Sequence, residues 1–230
     1  MSEIVRKIVC IGGGEMPRVK NGVVLPYETK EIDEEIVKMA GKSCPKVLFV
    51  GTASFDKSSH YEAFRKVYEK LGCVVTDLKL CESCLSEAEM RERVFGADVV
   101  YIDGGKTEFM LERWRECGFD RILMEAYGKG VVLAGVSAGS YCWFRYNYDS
   151  IEGLGLIEMI NCAHYNQKSV AQKEKFYRII ADKGLDGLAI DDCVAVAFVD
   201  GEMRVIKSDA RRKAYLVSVE DGELIEKELG

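Results

Sequence analysis

Short runs of apolar and β-branched residues alternate with longer amphipathic segments through the first two-thirds of the chain. The short runs have the length and composition of buried strands, and the longer segments repeat their apolar positions at helical spacing. The successive pairs read KIVCI with TKEIDEEIVKMAG, KVLFVG with SSHYEAFRKVYEKLG, VVTDL with SEAEMRERVFG, DVVYIDGG with TEFMLERWREC, and VVLAGVS with a short helix. This alternation predicts an α/β fold with a mostly parallel sheet flanked by helices on both faces.

Capping signals support the predicted helices. Ser86 and Glu89 have the spacing of a capping box, in which each side chain accepts a hydrogen bond from the backbone of the other residue. Gly41, Gly72 and Gly96 lie where three of the helices should end, and glycine favours the backbone conformation that closes a helix.

The alternation ends after about residue 185. Asp200-Gly201 then separates two strand-like runs in CVAVAFVDGEMRVI, and Asp221-Gly222 does the same in KAYLVSVEDGELIEK. Asp-Gly between apolar runs is a hairpin signal. We therefore expect antiparallel C-terminal edge strands on the sheet. Because the chain has no internal repeat, low-complexity tract or linker, we expect one α/β domain over residues 1–230.

Composition excludes several classes of function. The 230 residues are 48% hydrophobic, which is enough for a full core. The net charge is −6 and the Lys and Arg residues are scattered, so we expect no nucleic acid partner. The first apolar stretch is far shorter than a membrane span, so we expect neither a signal peptide nor a membrane anchor.

The nine cysteines are typical of reduced thiols in the cytoplasm, because their number is odd and a domain of this size needs no disulfides. Cys81 and Cys84 have the spacing of half a zinc or redox site. No second such pair or paired histidine follows at ligand spacing, so we interpret them as ordinary loop thiols and expect no metal.

The segment VVLAGVSAGS places Ser137 between two glycines at the end of an apolar strand. A strand that turns sharply into a helix there would expose the serine hydroxyl at the carboxyl edge of the sheet, where open parallel sheets bind ligands. The N–H of Ala138, at the start of the next helix, could then bind an oxyanion. We therefore interpret Ser137 as a candidate nucleophile.

A serine nucleophile needs a base, and the chain contains only two histidines. His60 lies on a predicted helix, where we expect it to be an exposed surface residue. His164 follows an apolar run that we interpret as another strand, so it lies at the carboxyl end of that strand. It is therefore the better candidate for the base. The residues leave the orienting carboxylate open among Asp149, Glu152, Asp191 and Asp192.

Two further glycine-rich segments lie at strand ends. Gly104 and Gly105 in YIDGGKT would let backbone N–H groups approach a ligand closely, as the second half of an oxyanion hole requires. The segment IGGGE lacks the GxGxxG register and the following helix of a dinucleotide site, so we expect no NAD and no other cofactor.

The motifs IGGGE, YIDGGKT, GVSAGS, NCAHY and LAIDDCVAVAFVDG occur in an order that resembles the peptidase E (aspartyl dipeptidase) and cyanophycinase family of serine peptidases. The resemblance covers nearly the whole chain and implies a sandwich similar to class I glutamine amidotransferases. It implies Ser137 as nucleophile, His164 as base, and the N–H groups of Gly105 and Ala138 as oxyanion hole. It favours Asp192 as the acid, with Asp149 in reserve.

The chain departs from the family pattern at two places. Lys106 stands where the family usually has Asn, and Ser140 is followed by the bulky Tyr141, Cys142 and Trp143. Selectivity for an N-terminal aspartate would need a positive group in the pocket, and the sequence assigns that role to neither Lys106 nor Arg145.

We therefore predict a cytoplasmic serine hydrolase that cleaves a small peptide or amide through an acyl-enzyme, in the manner of a dipeptidase. The alternatives are an esterase, for which Asp149 or Glu152 would be the acid, and a non-catalytic binding or regulatory protein, which Lys106, Tyr141 and Trp143 could favour. A glutamine amidotransferase would need cysteine in place of Ser137. The C-terminal edge strands would allow a homodimer.

Overall fold

The computed structural model describes residues 4–20, 22–81 and 85–230, which form helices packed around two large β-sheets and one small hairpin. The strands are β1 (Lys7–Ile11), β2 (Val19–Lys20), β3 (Val23–Val24), β4 (Lys46–Val50), β5 (Val74–Leu78), β6 (Val99–Ile102), β7 (Val132–Val136), β8 (Phe144–Asn147), β9 (Ile157–Ala163), β10 (Gly187–Ile190), β11 (Val194–Val199), β12 (Glu202–Lys207), β13 (Ala214–Glu220) and β14 (Glu223–Leu229). The α-helices are α1 (Lys30–Met39), α2 (Ser58–Lys70), α3 (Glu87–Gly96), α4 (Thr107–Cys117), α5 (Phe119–Gly128), α6 (Ala138–Tyr141) and α7 (Val170–Lys183). Short 3₁₀ turns cover Thr52–Ser54 and Tyr165–Gln167.

The first sheet has the order β12-β11-β1-β7-β6-β4-β5, in which β1, β7, β6, β4 and β5 are parallel. Its central strands are buried on both faces, whereas the edge strands β5 and β12 are partly exposed. Alternate residues of β1 show this, because Ile8 belongs to the buried cluster that includes residues of α3, α4 and α5, and Val9 belongs to the cluster that includes residues of α1 and α2. The prediction of a mostly parallel sheet flanked by helices on both faces is confirmed.

The second sheet has the order β14-β13-β10-β9-β8, with β8, β9 and β10 parallel. One face joins the core of the first sheet through Phe144 and Leu188, and the other packs Ile160 and Ala189 against Phe176 of α7. The C-terminal hairpins provide the antiparallel edge strands that the sequence predicts, but β11–β12 extends the first sheet and β13–β14 extends the second.

The local turn signals have the predicted geometry. Asp200 and Asp221 have φ angles of 48° and 51°, and each is followed by a glycine at positive φ, as the two-residue hairpin turn requires. Ser86 and Glu89 form the capping box at the start of α3. Within the described residues, no helix is both long enough and apolar enough to cross a membrane.

The carboxyl ends of β1, β6 and β7 in the first sheet meet those of β9 and β10 in the second. Backbone hydrogen bonds join the two edges: the N–H of His164, after β9, donates to the carbonyl of Gly12, after β1 (3.0 Å). Loops from both sheets therefore converge on one crevice.

Candidate active site

Ser137 lies at the turn between β7 and α6. Its φ and ψ angles of 54° and −109° lie outside the regions that non-glycine residues ordinarily adopt. The flanking glycines make this turn possible. A Cβ on Gly135 would lie 2.3 Å from the Gly139 carbonyl oxygen, and one on Gly139 would lie 2.3 Å from that of Ile102. The spacing GVSAG thus lets the start of α6 pack directly on the backbone of the sheet, with the serine at its apex.

His164 follows β9 at a positive φ of 53° and contacts both the serine and a carboxylate. Its Nε2 lies 2.9 Å from Ser137 Oγ, and its Nδ1 lies 2.6 Å from Asp192 Oδ1. Because an ionised carboxylate can only accept, Nδ1–H donates to Asp192, and Nε2 is left to accept from the serine hydroxyl. The ring is thereby held in the tautomer that a general base requires.

Asp192 is the second residue after β10, and its side chain is only 13% exposed. Asn166 Nδ2 donates to Asp192 Oδ2 (3.2 Å), and so does Gln167 Nε2. Burial by itself would raise the pKa of Asp192, but the hydrogen bonds from His164, Gln167 and Asn166 outweigh it and bring the pKa below its usual value. Asp192 is therefore ionised throughout the neutral range.

The other three candidate carboxylates have different partners. Asp149 accepts from Lys175 Nζ (2.5 Å), and Glu152 forms an ion pair with Arg145 (3.2 Å). Asp191 is buried and accepts the backbone N–H of Lys213 (3.0 Å), and burial raises its pKa. In the described part of the chain, none of the three contacts His164.

The glycines after β1 connect the two halves of the crevice. The carbonyl of Ile11 accepts the N–H of Ser137 (3.0 Å), that of Gly12 accepts the N–H of His164 (3.0 Å), and that of Gly13 accepts the N–H of Cys193 (2.9 Å). A Cβ on Gly13 would lie 2.0 Å from Asp192 Oδ1 and 2.5 Å from the His164 ring. We call residues 11–13 the glycine bracket.

The sequence did not predict the role of the glycine bracket, because IGGGE entered only as a possible dinucleotide motif and as one motif of the family resemblance. Consecutive glycines at the end of a central strand are the signal that could have pointed to it, since they permit close backbone approach.

Gly105 and Ala138 are the two candidates for the oxyanion hole: Ala138 follows Ser137 in the chain, and Gly105 lines the same crevice. Gly105 has φ of 147°, and a Cβ there would lie 2.1 Å from the Ala53 carbonyl oxygen, so only glycine fits. Gly104 lies so close that its Cβ would be 3.3 Å from Ser137 Cβ. Among residues 4–20, 22–81 and 85–230, no protein acceptor engages the N–H of Gly105 or Ala138. Both are therefore available to a ligand.

Comparison with known proteins identifies the family. The sequence model of peptidase family S51 matches residues 25–206. The chain belongs to peptidase family S51. It is 30% identical to the uncharacterized peptidase YgaJ of Bacillus subtilis (strain 168), and the match covers 96% of each chain. These findings place it among the peptidases and confirm the resemblance to the peptidase E family.

Two solved structures share the fold of this S51 chain. A crystal structure of a peptidase from an acI-B1 Actinobacterium superposes with a TM-score of 0.73 at 21% identity, covering 98% of this chain and 94% of that one. A putative peptidase E protein from Listeria monocytogenes EGD-e superposes with a TM-score of 0.65 at 19% identity, covering 88% and 98%.

The second histidine of this S51 chain also faces the crevice, so the expectation of an exposed surface residue at His60 was wrong. Its side chain is 23% exposed, and its Nδ1 lies 2.8 Å from Asp103 Oδ2. Asp103 also accepts from Ser54 Oγ (2.5 Å) and from the N–H of Gly104 (2.8 Å). The error arose because periodicity along α2 does not reveal that the end of β6 lies against it.

Two cavities share a wall formed by Gly105, Ser137 and His164. The first cavity has a volume of about 330 Å³ and extends toward α2 and the loop after β1, where it is lined by Glu28 and His60 among others. The second cavity, of about 690 Å³, extends toward α4 and β8 and is lined by residues that include Lys106, Tyr141, Asp149 and Lys168. Both volumes suit small ligands.

The departures from the family pattern fall in different places. Lys106 is exposed and lines the second cavity, as does Tyr141. Trp143 is fully buried in the core and does not face the crevice. Arg145 forms ion pairs with Glu152 (3.2 Å) and Glu158 (3.9 Å) and lines neither cavity.

No cysteine of the described residues lines either cavity. Cys193 follows Asp192, and burial raises the pKa of its thiol to about 11, so it is protonated at neutral pH. Cys84 lies outside the described residues, so the interpretation of Cys81 and Cys84 as ordinary loop thiols stays a prediction. Within the described residues, no group of three or more His, Cys, Asp or Glu side chains could hold a metal ion.

Proposed function

We propose that the chain is a serine peptidase that cleaves a small peptide or amide through an acyl-enzyme on Ser137, with His164 as general base and Asp192 as the orienting acid. The observation that carries this proposal is the continuous hydrogen-bond chain from Ser137 Oγ through His164 to Asp192 Oδ1, at 2.9 and 2.6 Å. Membership of a peptidase family supports the same reaction class.

In the first half of the reaction, Ser137 Oγ attacks the carbonyl carbon of the scissile bond while its proton moves to His164 Nε2. Asp192 stabilises the imidazolium that forms and does not itself take the proton. The negative charge that develops on the carbonyl oxygen would be bound by the N–H groups of Gly105 and Ala138. Such preorganised donors are each worth on the order of 3 kcal/mol.

In the second half, His164 returns the proton to the leaving amine, and the acyl group stays on Ser137. Water then attacks the ester, again with His164 as base, and releases the acid product. The serine proton thus leaves with the amine, and the proton that His164 takes from water returns to Ser137 Oγ, so the proposed cycle requires no metal or cofactor.

We propose short peptides, dipeptides in particular, as the substrates. The two cavities beside Ser137, of about 330 and 690 Å³, support this size class. We further propose that the protein acts in the cytoplasm, because the cysteines of the described residues are free thiols.

The test is labelling of the purified protein with a fluorophosphonate probe, followed by intact mass and peptide mapping. We expect one adduct on Ser137 in the wild type, and no adduct in Ser137→Ala or His164→Ala. Folded wild-type protein that takes up no probe would contradict the proposal and favour a non-catalytic binding protein. Parallel assays with short acyl esters and dipeptides distinguish an esterase, which would turn over only the esters.

A further inference from the structure

The first cavity contains a second histidine–aspartate pair that the proposed reaction does not use. His60 Nδ1 lies 2.8 Å from Asp103 Oδ2, and Asp103 also accepts hydrogen bonds from Ser54 and Gly104. Because those bonds hold Asp103 as an acceptor, Nδ1–H donates to it. The remaining ring nitrogen, Nε2, is therefore the one that can accept a hydrogen bond from a ligand.

The floor of this cavity is aromatic. Phe49, Phe64 and Tyr101 line it and are at most 4% exposed. Their rings pack on one another, with centroids 4.9 Å apart for Phe49–Phe64 and 4.6 Å apart for Phe64–Tyr101. Such a surface buries the carbon chain of a ligand and attracts a cation to the faces of the rings.

The charged groups that line the cavity are mostly carboxylates. Arg18 is the only Lys or Arg among its described lining residues, and it is paired with Glu15 at 2.7 Å. Glu28 Oε2 accepts the N–H of Glu15 (2.9 Å), but no cationic side chain of the described residues pairs with Glu28. The cavity thus offers hydrogen-bond acceptors and a net negative charge.

We propose that the first cavity binds a cationic hydrogen-bond donor of the substrate, an ammonium or guanidinium group, with Glu28 and His60 Nε2 as its acceptors. The aromatic floor lies beneath the carbon chain that carries the cation. The inference rests on the proposed function, because Ser137 forms part of the cavity wall and cleaves the bond next to the bound group. An acidic substrate side chain would meet Glu28 and Asp103 and be repelled, so this cavity does not provide aspartyl selectivity.

Binding is measured by calorimetry on Ser137→Ala, which cannot turn ligands over. The probes are n-butylguanidinium, n-butylammonium and pentanoate, which differ chiefly in charge. We expect the two cations to bind at least about tenfold more tightly than pentanoate, since a hydrogen bond to a charged group contributes that much or more. Equal or tighter binding of pentanoate overturns the proposal. This test needs no substitution of Glu28 or His60.

Substitution of Glu28 tests the assigned acceptor. Glu28→Gln keeps an oxygen for the N–H of Glu15 but removes the charge, and we expect it to weaken binding of both cations about tenfold. Glu31→Gln, at an exposed position outside the cavity, is the matched control and should bind as Ser137→Ala does. Unchanged binding in Glu28→Gln overturns the assignment. His60→Phe provides an independent variant and should also weaken binding.

Dipeptides then distinguish the source of the cation. If it is a basic side chain, Lys-Ala should bind more tightly than norleucyl-alanine, and N-acetylation should have little effect. If it is the N-terminal ammonium, acetylation should abolish binding and the side chain should matter little. These binding measurements use Ser137→Ala, so a negative result contradicts only the proposed cation site. Fluorophosphonate labelling of the wild type tests the catalytic serine independently.

Discussion

The glycine bracket leads to a sharp prediction for Gly13→Ala. The new Cβ would lie 2.0 Å from Asp192 Oδ1 and 2.5 Å from two atoms of the His164 ring, whereas real Cβ atoms essentially never approach within 3.0 Å. One of the two side chains must therefore move by about 1 Å or more. Rotation of Asp192 away from the new methyl group would break its bond to His164, and movement of the ring would lengthen the 2.9 Å contact with Ser137.

A displacement of about 1 Å in a catalytic arrangement costs on the order of 100-fold in rate. We therefore expect the rate of fluorophosphonate labelling of Ser137, and dipeptide hydrolysis with it, to fall about 100-fold in Gly13→Ala. Overpacking should also lower the free energy of unfolding by about 1–3 kcal/mol, so the assays are run well below the melting temperature.

Gly96→Ala is the matched control, because no heavy atom lies within 4 Å of its Cβ position. It should label at the wild-type rate. The reasoning is refuted if folded Gly13→Ala, checked by circular dichroism, labels within about threefold of the wild type. The His164–Asp192 pair would then not depend on the absence of a side chain at residue 13.

Three further predictions concern the acid, a buried carboxyl group and a helix cap. Asp192→Asn should slow labelling by on the order of 1,000-fold, because the tautomer of His164 is no longer fixed. Asp149→Asn should change the labelling rate less than about threefold. The reverse ranking would make Asp149 the acid. Burial raises the pKa of Asp33 to about 7, so the folded protein retains a proton that the unfolded chain loses near pH 4. Stability should therefore fall as the pH rises from about 4 to about 7, by on the order of 4 kcal/mol, and urea titrations of Asp33→Asn should show that this dependence is lost. Ser86→Ala removes the cap of α3 and should lower the free energy of unfolding by about 1 kcal/mol without affecting labelling; an unchanged melting temperature would contradict the role of the cap.

Local patterns in the sequence predict the strands of the first sheet and the helices beside it except α5, which was not predicted. Burial on both faces and capping at helix ends leave signals within a few residues. The local patterns do not predict the second sheet. The short runs that form β9 and β10 carry no information about which strands they pair with, since pairing depends on residues far away in the chain. The sequence therefore predicts the C-terminal hairpins but not their division between two sheets.

The same limit applies to the candidate site. Glycine spacing predicts that Ser137 lies at the end of a strand. Because the chain has few histidines, His164, which follows another predicted strand, is the candidate base, and a crevice is expected at such strand ends. The choice among four carboxylates depends on how β10 pairs with β9, which brings Asp192 beside the histidine loop. The position of His60 depends on packing between α2 and the end of β6, so its sequence context alone indicated a surface residue.

The division of the strands between two sheets helps to distinguish the proposed peptidase from the alternative, an esterase with the α/β-hydrolase arrangement. In α/β-hydrolases the acid precedes the histidine in the chain, whereas Asp192 follows His164 here. Asp149 would satisfy the α/β-hydrolase order, but it is bound to Lys175 and not to His164. A reaction that depends on Asp192 would therefore have a histidine and an acid that both come from the second sheet, facing a serine from the first. The rate of that reaction should then depend on the glycine bracket, because these residues join the two sheets. A site whose residues all came from one sheet would not need the bracket.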